Sequence, residues 1–172
     1  MMMDTFRYPT PEGFDDLLMC SDGEALTGLW FEHLRNENQY ASDIVETFPE
    51  TSQIPTLFPV IRDTCRWLDV YFSGRQPDFT PAYRMEGLTP FRKTVLDKVC
   101  EIPFGQTMTY GEISNRLKVN SAQAVGGAVG WNPICIIVPC HRVMGANGNL
   151  TGYGGGIRNK IALLKLEGSL MV

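Results

Sequence analysis

A chain of 172 residues has room for one or two small domains with real cores. Five cysteines (Cys20, Cys65, Cys100, Cys135, Cys140), an odd number with no C-x-x-C pair, argue against a disulfide framework or a cysteine-rich zinc site, and His33 and His141 add no metal spacing. The net charge of −4 argues by itself against nucleic acid, but residues 1–83 hold 5 basic and 14 acidic residues while residues 84–172 hold 10 and 5. That split suggests two domains, an acidic 1–83 and a basic, functional 84–172. A chance surface imbalance is the alternative until the charges are located on one face. Met1 to Thr10 contains no apolar h-region, and no apolar run approaches the ~18 residues of a membrane span. A reducing, cytoplasmic setting is the expectation.

Residues 1–35 carry strand signals. Phe14 to Cys20 and Ala25 to Phe31 flank the turn cluster Ser21-Asp22-Gly23 and read as an antiparallel hairpin, with Thr5 to Tyr8 as a third strand. Asn36 to Pro55 reads as a polar surface loop. Leu57, Val60, Ile61, Trp67, Leu68 and Phe72 recur at helical spacing and predict an amphipathic helix over 56–73 that ends at Gly74. Gln76 to Gly87, with Pro77 and Pro81, reads as a linker.

The second half opens with Thr89-Pro90, an N-cap followed by proline at the first helical position, and Phe91, Val95, Leu96 and Val99 continue an apolar stripe. Phe104-Gly105-Gln106 makes a turn. Thr109-Tyr110-Gly111-Glu112 is a capping-box pattern, and Asn120-Ser121-Ala122-Gln123 opens the next helix. Two helices across a short connection have the layout of a helix-turn-helix. The second of them runs Ala122, Gln123, Ala124, Val125, Gly126, Gly127, Ala128, Val129. Paired glycines inside a helix cost about 1 kcal/mol each relative to alanine. Such small residues let a backbone approach another helix or a nucleic-acid groove, and the basic half favours the groove.

Asn132 to Val143 reads N-P-I-C-I-I-V-P-C-H-R-V. The apolar run Ile134–Val138 suits a buried strand-like segment, and Pro139 stops regular pairing before Cys140. A cysteine with a nearby base is a nucleophile candidate, because only the thiolate attacks. For a bare Cys-His pair the alternative, an inert core cysteine, carries about half the weight. Adjacent residues point apart on a strand and do not face each other on a helix, so His141 is expected to reach Cys140 through a water. Gly145 to Gly156 is a glycine-rich loop without the strand context of a dinucleotide fingerprint. Ile157, Ile161, Ala162 and Leu164 mark a last helix closed by Gly168. Glu167 sits in its final turn, where the macrodipole disfavours a negative charge, so it needs a partner or a solvent-exposed end.

The pair Asn132-Pro133 with Pro139-Cys140-His141-Arg142-Val143 resembles the active-site motif of the O6-alkylguanine-DNA alkyltransferases, also called methylated-DNA–protein-cysteine methyltransferases. With its flanking features the resemblance covers about half the chain; residues 1–83 match only in length and strand-then-helix order. It implies an α+β fold: a small antiparallel sheet with a helix, ribonuclease-H-like, then a helical winged helix-turn-helix domain. The implied reaction is repair by direct reversal, a stoichiometric and self-inactivating transfer of a methyl or larger alkyl group from O6 of guanine, and O4 of thymine, to Cys140. It implies double-stranded DNA carrying alkylated guanine as partner, no cofactor, no metal, no membrane, and a monomer.

By the same resemblance Cys140 is the acceptor, His141 the water-mediated base and Glu167 its orienter. Asn132 is the hinge between helix-turn-helix and active site, and Tyr110 donates to the departing guanine. The carbonyls of Cys140 and Val143 hold the base's amine, and Gly154 and Gly155 offer backbone N–H groups to the lesion. Gln123, with Ala122, Ala124, Gly126, Gly127 and Arg142, belongs to the DNA-binding surface. The family's best-known members carry Arg where Gln123 stands. Gln123 is then either a weaker filler of the gap left by a flipped base or a capping-box residue begun by Asn120. Some members have Ser where Gly154 stands, which matters little if a backbone N–H is used. A cysteine-free lesion binder, a cysteine peptidase and a plain transcription factor are the rival classes. The first lacks the cysteine, the second needs an oxyanion hole and turnover, and the third would need a regulatory domain that this length does not hold.

Overall fold

The computed structural model describes residues 5–32, 45–47, 59–150 and 153–170, which form parts of two compact units, Met1–Arg84 and Met85–Val172. In the first unit, β1 (Thr5–Tyr8), β2 (Leu17–Ser21) and β3 (Leu26–Phe31) pair antiparallel, with Phe6 opposite Met19 and Leu18 opposite Trp30. The hairpin follows from its turn chemistry. Ser21 Oγ accepts Gly23 N and donates to Ala25 O, Asp22 Oδ1 accepts the N–H groups of Glu24 and Ala25, and Gly23 takes φ 97. A fourth strand, β4 (Val45–Thr47), runs parallel to β1, so the sheet is mixed, in the order β3-β2-β1-β4. β4 falls inside the stretch expected to be a loop; the rest of 36–55 and residues 56–58 lie outside the described residues.

Helix α1 (Pro59–Phe72) buries Ile61, Trp67, Leu68 and Tyr71, the last ring stacked on Trp67 at 5.3 Å between centroids. It ends before Gly74, at φ 92, as its sequence requires. The expected linker is partly fastened: Leu26 N bonds to Ala82 O, Arg84 N bonds to Leu26 O, and the Arg84 side chain is paired with Asp22 and Glu24. Arg84 therefore belongs electrostatically to the acidic unit.

In the second unit α2 (Pro90–Val99) starts as its sequence predicts, with Thr89 accepting from Arg92 N and Pro90 in the first turn. Val95, Leu96 and Val99 are buried, but Phe91 is 38% exposed and lies off the stripe. Strand β5 (Met108–Thr109) leads into α3 (Tyr110–Leu117). Thr109 Oγ1 caps α3, accepting Glu112 N at 3.0 Å and facing Glu112 Oε1 at 3.3 Å. Lys118 then ends the helix at φ 57, its N–H on Asn115 O and the Val119 N–H on Ser114 O. These are the two bonds of a Schellman stop, made here by lysine where glycine is usual.

After this four-residue turn α4 (Ala122–Val129) begins, packed on α2 and α3 through Val125, Ala128 and Val129. Ala122, Gln123, Ala124 and Gly127 face outward. A Cβ at Gly127 would meet nothing within 4 Å, and one at Gly126 would rest on the Tyr110 ring at 3.7 Å. Close helix packing therefore does not explain Gly127. The last helix, α5 (Ile157–Leu166), buries Asn159, Lys160, Leu163 and Leu164, while Ile157 is exposed and Ile161 half-buried. Among the described residues no helix is long and apolar enough to cross a membrane.

The N-cap of α4 is Ser121, whose Oγ accepts Ala124 N at 3.0 Å, so Asn120 does not begin a capping box that ends on Gln123. Ser121→Ala should destabilise the protein by about 1 kcal/mol, whereas Gln123→Ala should stay within about 0.5 kcal/mol of the parent. Denaturant titration of both variants checks this; a larger loss from Gln123→Ala would restore the capping role.

Candidate active site

The run Ile134–Val138 is buried except at the half-buried Ile137, as its composition demands, but it is a turn and not a strand. Val138 N bonds back to Ile134 O at 3.1 Å and Ile137 N to Cys135 O at 2.8 Å, so the chain reverses within the run. Ile136 adopts φ 71, a left-handed conformation that strains a β-branched residue. Asn132 holds this turn from inside. Its Oδ1 accepts Ile134 N at 2.9 Å, and its Nδ2 donates to Val138 O at 2.8 Å and to Cys140 Sγ at 3.0 Å. The Asn132 N–H itself bonds to Val129 O at the end of α4. One buried amide thus ties the small-residue helix to both ends of the turn and to the thiol.

Cys140 opens a 3-10 turn, Cys140–Arg142, that continues into β6 (Val143–Met144). β6 pairs in parallel with β5, Met108 opposite Val143 and Thr109 opposite Met144. β5 immediately precedes Tyr110. The ladder therefore brings the half-buried Tyr110 beside Cys140, close enough for a thiolate there to act on the phenol. Burial first, and that charge second, raise the Tyr110 pKa. The phenol stays protonated at neutral pH and can donate.

Cys140 itself is buried, and its pKa is nevertheless lowered. A hydrogen bond with Cys135 is the largest cause, opposed by burial and supported by Asn132, the Lys160 charge and the Tyr153 hydroxyl. His141 does not supply one of these bonds; its ring turns the other way. His141 Nε2 contacts Glu167 Oε2, and among the described residues Nδ1 meets no hydrogen-bond partner. A carboxylate only accepts, so the Nε2 position carries the proton and Nδ1 keeps the lone pair. Burial, partly offset by Glu167, lowers the His141 pKa, so the ring is neutral at neutral pH and able to take a proton.

Glu167 sits at the C-cap of α5 with its side chain fully buried, against the helix dipole. Its partners explain how it survives there: His141 on Oε2, Arg142 Nε on Oε1 at 2.6 Å, and Gly105 N on Oε1 at 3.3 Å. Arg142 is the correction to the expected DNA surface. It is 6% exposed, and its Nη1 donates to Ile102 O at 2.7 Å. Its guanidinium is committed to Glu167 and to a backbone carbonyl, and it faces inward.

Two further residues escaped sequence reasoning. Lys160 is 1% exposed, donates from Nζ to Val143 O at 2.6 Å, and lies near enough to Cys140 for each charge to favour the other. Its signal was available: it stands three and four residues before Leu163 and Leu164, on the apolar stripe of α5. Tyr153, from the glycine-rich loop, reaches both Cys135 and Cys140. Gly155 makes room for that ring, since a Cβ there would come within 2.4 Å of it, and Gly155 O accepts Asn159 Nδ2. Gly154 is open, with nothing within 4 Å of a would-be Cβ. Thr151 and Gly152 lie outside the described residues. The carbonyls of Val143 and Cys140 each already accept one bond, from Lys160 Nζ and Val143 N, and each retains a second lone pair.

Truncating one member of a buried ion pair strands the other, at about 3–5 kcal/mol. Arg142→Ala should therefore lower the melting temperature strongly and leave the salt dependence of DNA binding unchanged. A stable variant with a flattened salt dependence would return Arg142 to the DNA surface.

With the geometry in place, the comparisons with known proteins are direct. Residues 90–169 match the family model for the 6-O-methylguanine DNA methyltransferase DNA-binding domain. The methylated-DNA–protein-cysteine methyltransferase of Methanosarcina acetivorans is 50% identical over 109 residues, 63% of this chain and 69% of that one. The Haemophilus influenzae protein of the same name is 39% identical over 161 residues, 93% and 83% of the two chains. The fold is similar to the crystal structure of Mycobacterium tuberculosis OGT in complex with DNA, with TM-score 0.77 and 36% identity over 96% of this chain and 93% of that one. The chain belongs to the methylated-DNA–protein-cysteine methyltransferase family.

Proposed function

We propose that this protein repairs DNA by direct reversal, moving an alkyl group from O6 of guanine, or O4 of thymine, to Cys140 once per molecule. The observation that carries this reading is the buried Cys140 itself, its proton loosened by neighbouring donors, with a neutral His141 held by the Glu167 carboxylate behind it. His141 takes the thiol proton through a water. Sγ attacks the alkyl carbon; the C–S bond forms as the C–O6 bond breaks, and the electron pair leaves with guanine. The Tyr110 phenol, kept protonated by its surroundings, supplies a proton to the departing base. The thioether so formed is stable, and nothing in this chemistry regenerates the thiol.

The reacting carbon is inaccessible inside a stacked duplex, so the base must be flipped out at a few kcal/mol. The outward face of α4, with Ala122, Gln123, Ala124 and the open Gly127, suits close approach to a groove. With Arg84 in the first unit and Arg142 and Lys160 buried, the basic side chains left at least half-buried or exposed in the second unit are Arg92, Lys93, Lys98, Arg116, Lys118, Arg158 and Lys165. Nucleophile, base and groove-facing helix lie on one chain, which supports action as a monomer on double-stranded DNA; a cytoplasmic setting remains part of the proposal.

Intact-protein and peptide mass spectrometry after incubation with duplex DNA carrying O6-methylguanine tests this reading. One methylene should be gained per molecule, on Cys140, and none by Cys140→Ala; label on Cys135, or label in the alanine variant, would refute it. The same assay reads Gln123. If Gln123 fills the gap left by the flipped base, Gln123→Ala should slow transfer from duplex and leave the rate with free O6-benzylguanine nearly unchanged, and Gln123→Arg should speed the duplex reaction alone. Equal effects on both substrates would remove Gln123 from the site.

A further inference from the structure

Arg92 is held differently from the cations described above. Arg84 is paired with Asp22 and Glu24, Lys98 with Glu101 at 2.8 Å, Arg142 with Glu167, and Lys160 is bonded to Val143 O. The Arg92 side chain, half-buried on the first turn of α2, makes no ion pair or side-chain hydrogen bond among the described residues. Its helical neighbours three and four positions away are Leu88, Thr89, Val95 and Leu96, and none offers a carboxylate. The guanidinium lies instead over the indole of Trp131, with Cζ 3.9 Å from the ring centroid. Trp131 is itself 42% exposed. The contact joins the start of α2 to the end of α4, two helices that pack on each other. Resting on the functional reading above, we propose that Arg92 is a DNA-backbone contact: its guanidinium, seated on the Trp131 ring, receives a phosphate at the C-terminal end of α4.

Trp131 continues the outward face of α4. Its N–H bonds to Ala128 O and the Asn132 N–H to Val129 O, so helical winding runs on past Gly130. Gln123, Gly127 and Trp131 then recur at i, i+4 and i+8, and all three are exposed. A rise of about 1.5 Å per residue sets Trp131 about 12 Å along the axis from Gln123. Between them the face carries Ala124, Gly127 and Gly130 and no charge. The two ends of the helix differ. At its start the dipole is positive and the exposed Lys118 stands in the turn before it. At its end the dipole is negative and repels a phosphate. A cation seated on Trp131 reverses the sign there, so both ends of the uncharged face suit an anion. Duplex DNA is the occupant that fits, because a groove is edged by two rows of phosphates with uncharged base edges between them. The guanidinium keeps its N–H groups unbonded, and its planar fork matches phosphate oxygens. A purely structural Arg92 would hold α2 to α4 and leave the charge at this end without a use.

The test measures binding of an unmodified duplex against salt for wild type, Arg92→Ala, Arg92→Lys, Trp131→Ala and Trp131→Phe. Melting curves establish that the variants are folded, and the single-turnover rate with free O6-benzylguanine, which needs no duplex, reports whether the Cys140 site is intact. Loss of one phosphate contact lowers the slope of log affinity against log salt by about 0.9. Arg92→Ala should show that decrease, so that between about 50 and 200 mM salt it loses about three- to fourfold less affinity than wild type does. Arg92→Lys should keep the wild-type slope, because the charge remains. Trp131→Ala should weaken duplex binding severalfold by releasing the guanidinium, and Trp131→Phe, which restores a ring face, should recover it. An Arg92→Ala slope equal to wild type, wild-type affinity in Trp131→Ala, or a free O6-benzylguanine rate that falls in step with duplex binding would overturn the proposal. A wild type that transfers no alkyl group from duplex or free base, while Arg92→Ala still lowers the salt slope, would instead refute the alkyl-transfer reading and leave the contact standing.

Discussion

The site depends on one buried side-chain amide. Asn132 makes three hydrogen bonds into the turn and the thiol, and its own N–H hangs from the end of α4. The geometry it enforces is costly in itself: an isoleucine in a left-handed conformation stores about 1–3 kcal/mol. That cost is offset by hydrogen bonds worth about 1 kcal/mol apiece and by burial of Ile134, Ile136 and Val138. No aliphatic side chain could replace the amide, because Ile134 N would lose its acceptor while Val138 O and Sγ would each lose a donor at once. The same residue that shapes the turn also donates to the nucleophile, so fold and reactivity are coupled at one position.

Around that turn the protein buries a set of charges. Arg142 and Lys160 are cations, Glu167 is an anion, and none of the three is more than 6% exposed. With His141 neutral and Cys140 a thiol the set is one positive charge in excess, and passing the thiol proton to His141 separates charge into a thiolate and an imidazolium without changing that total. Unpaired buried charge is strongly disfavoured. The thiolate is the anion that the Lys160 ammonium faces in this core. Transfer of an alkyl group removes that negative charge for good and leaves the Lys160 ammonium without it, which gives a physical reason for the spent protein to be less stable than the active one.

What the sequence disclosed followed local rules. The hairpin at Ser21–Gly23, the Thr89-Pro90 start and the Thr109 cap all depend on neighbouring residues, and all stand where periodicity and turn chemistry put them. The motif residues Cys140, His141, Asn132, Tyr110 and Glu167 are brought together as named, though the outermost two stand 57 positions apart. What was not legible depended on long-range contact. The Ile134–Val138 run reads as strand because composition reports burial and not direction; its reversal is imposed by Asn132. β4 owes its place to pairing with β1. Arg142 reads as a DNA contact until the buried Glu167 is seen against it. Lys160 shows in the sequence only as a position on the apolar stripe of α5; that its charge acts on Cys140 depends on the fold.

The central claim is that a neutral His141, with its proton on the Glu167 side, stands ready to take a proton from the acceptor. Nitrogen-15 NMR of the imidazole rings measures this directly, and with two histidines in the chain a His33→Gln variant isolates the His141 signals. At neutral pH the account requires a neutral ring protonated at Nε2 and bare at Nδ1. A ring protonated at both nitrogens, or the opposite tautomer, would contradict it.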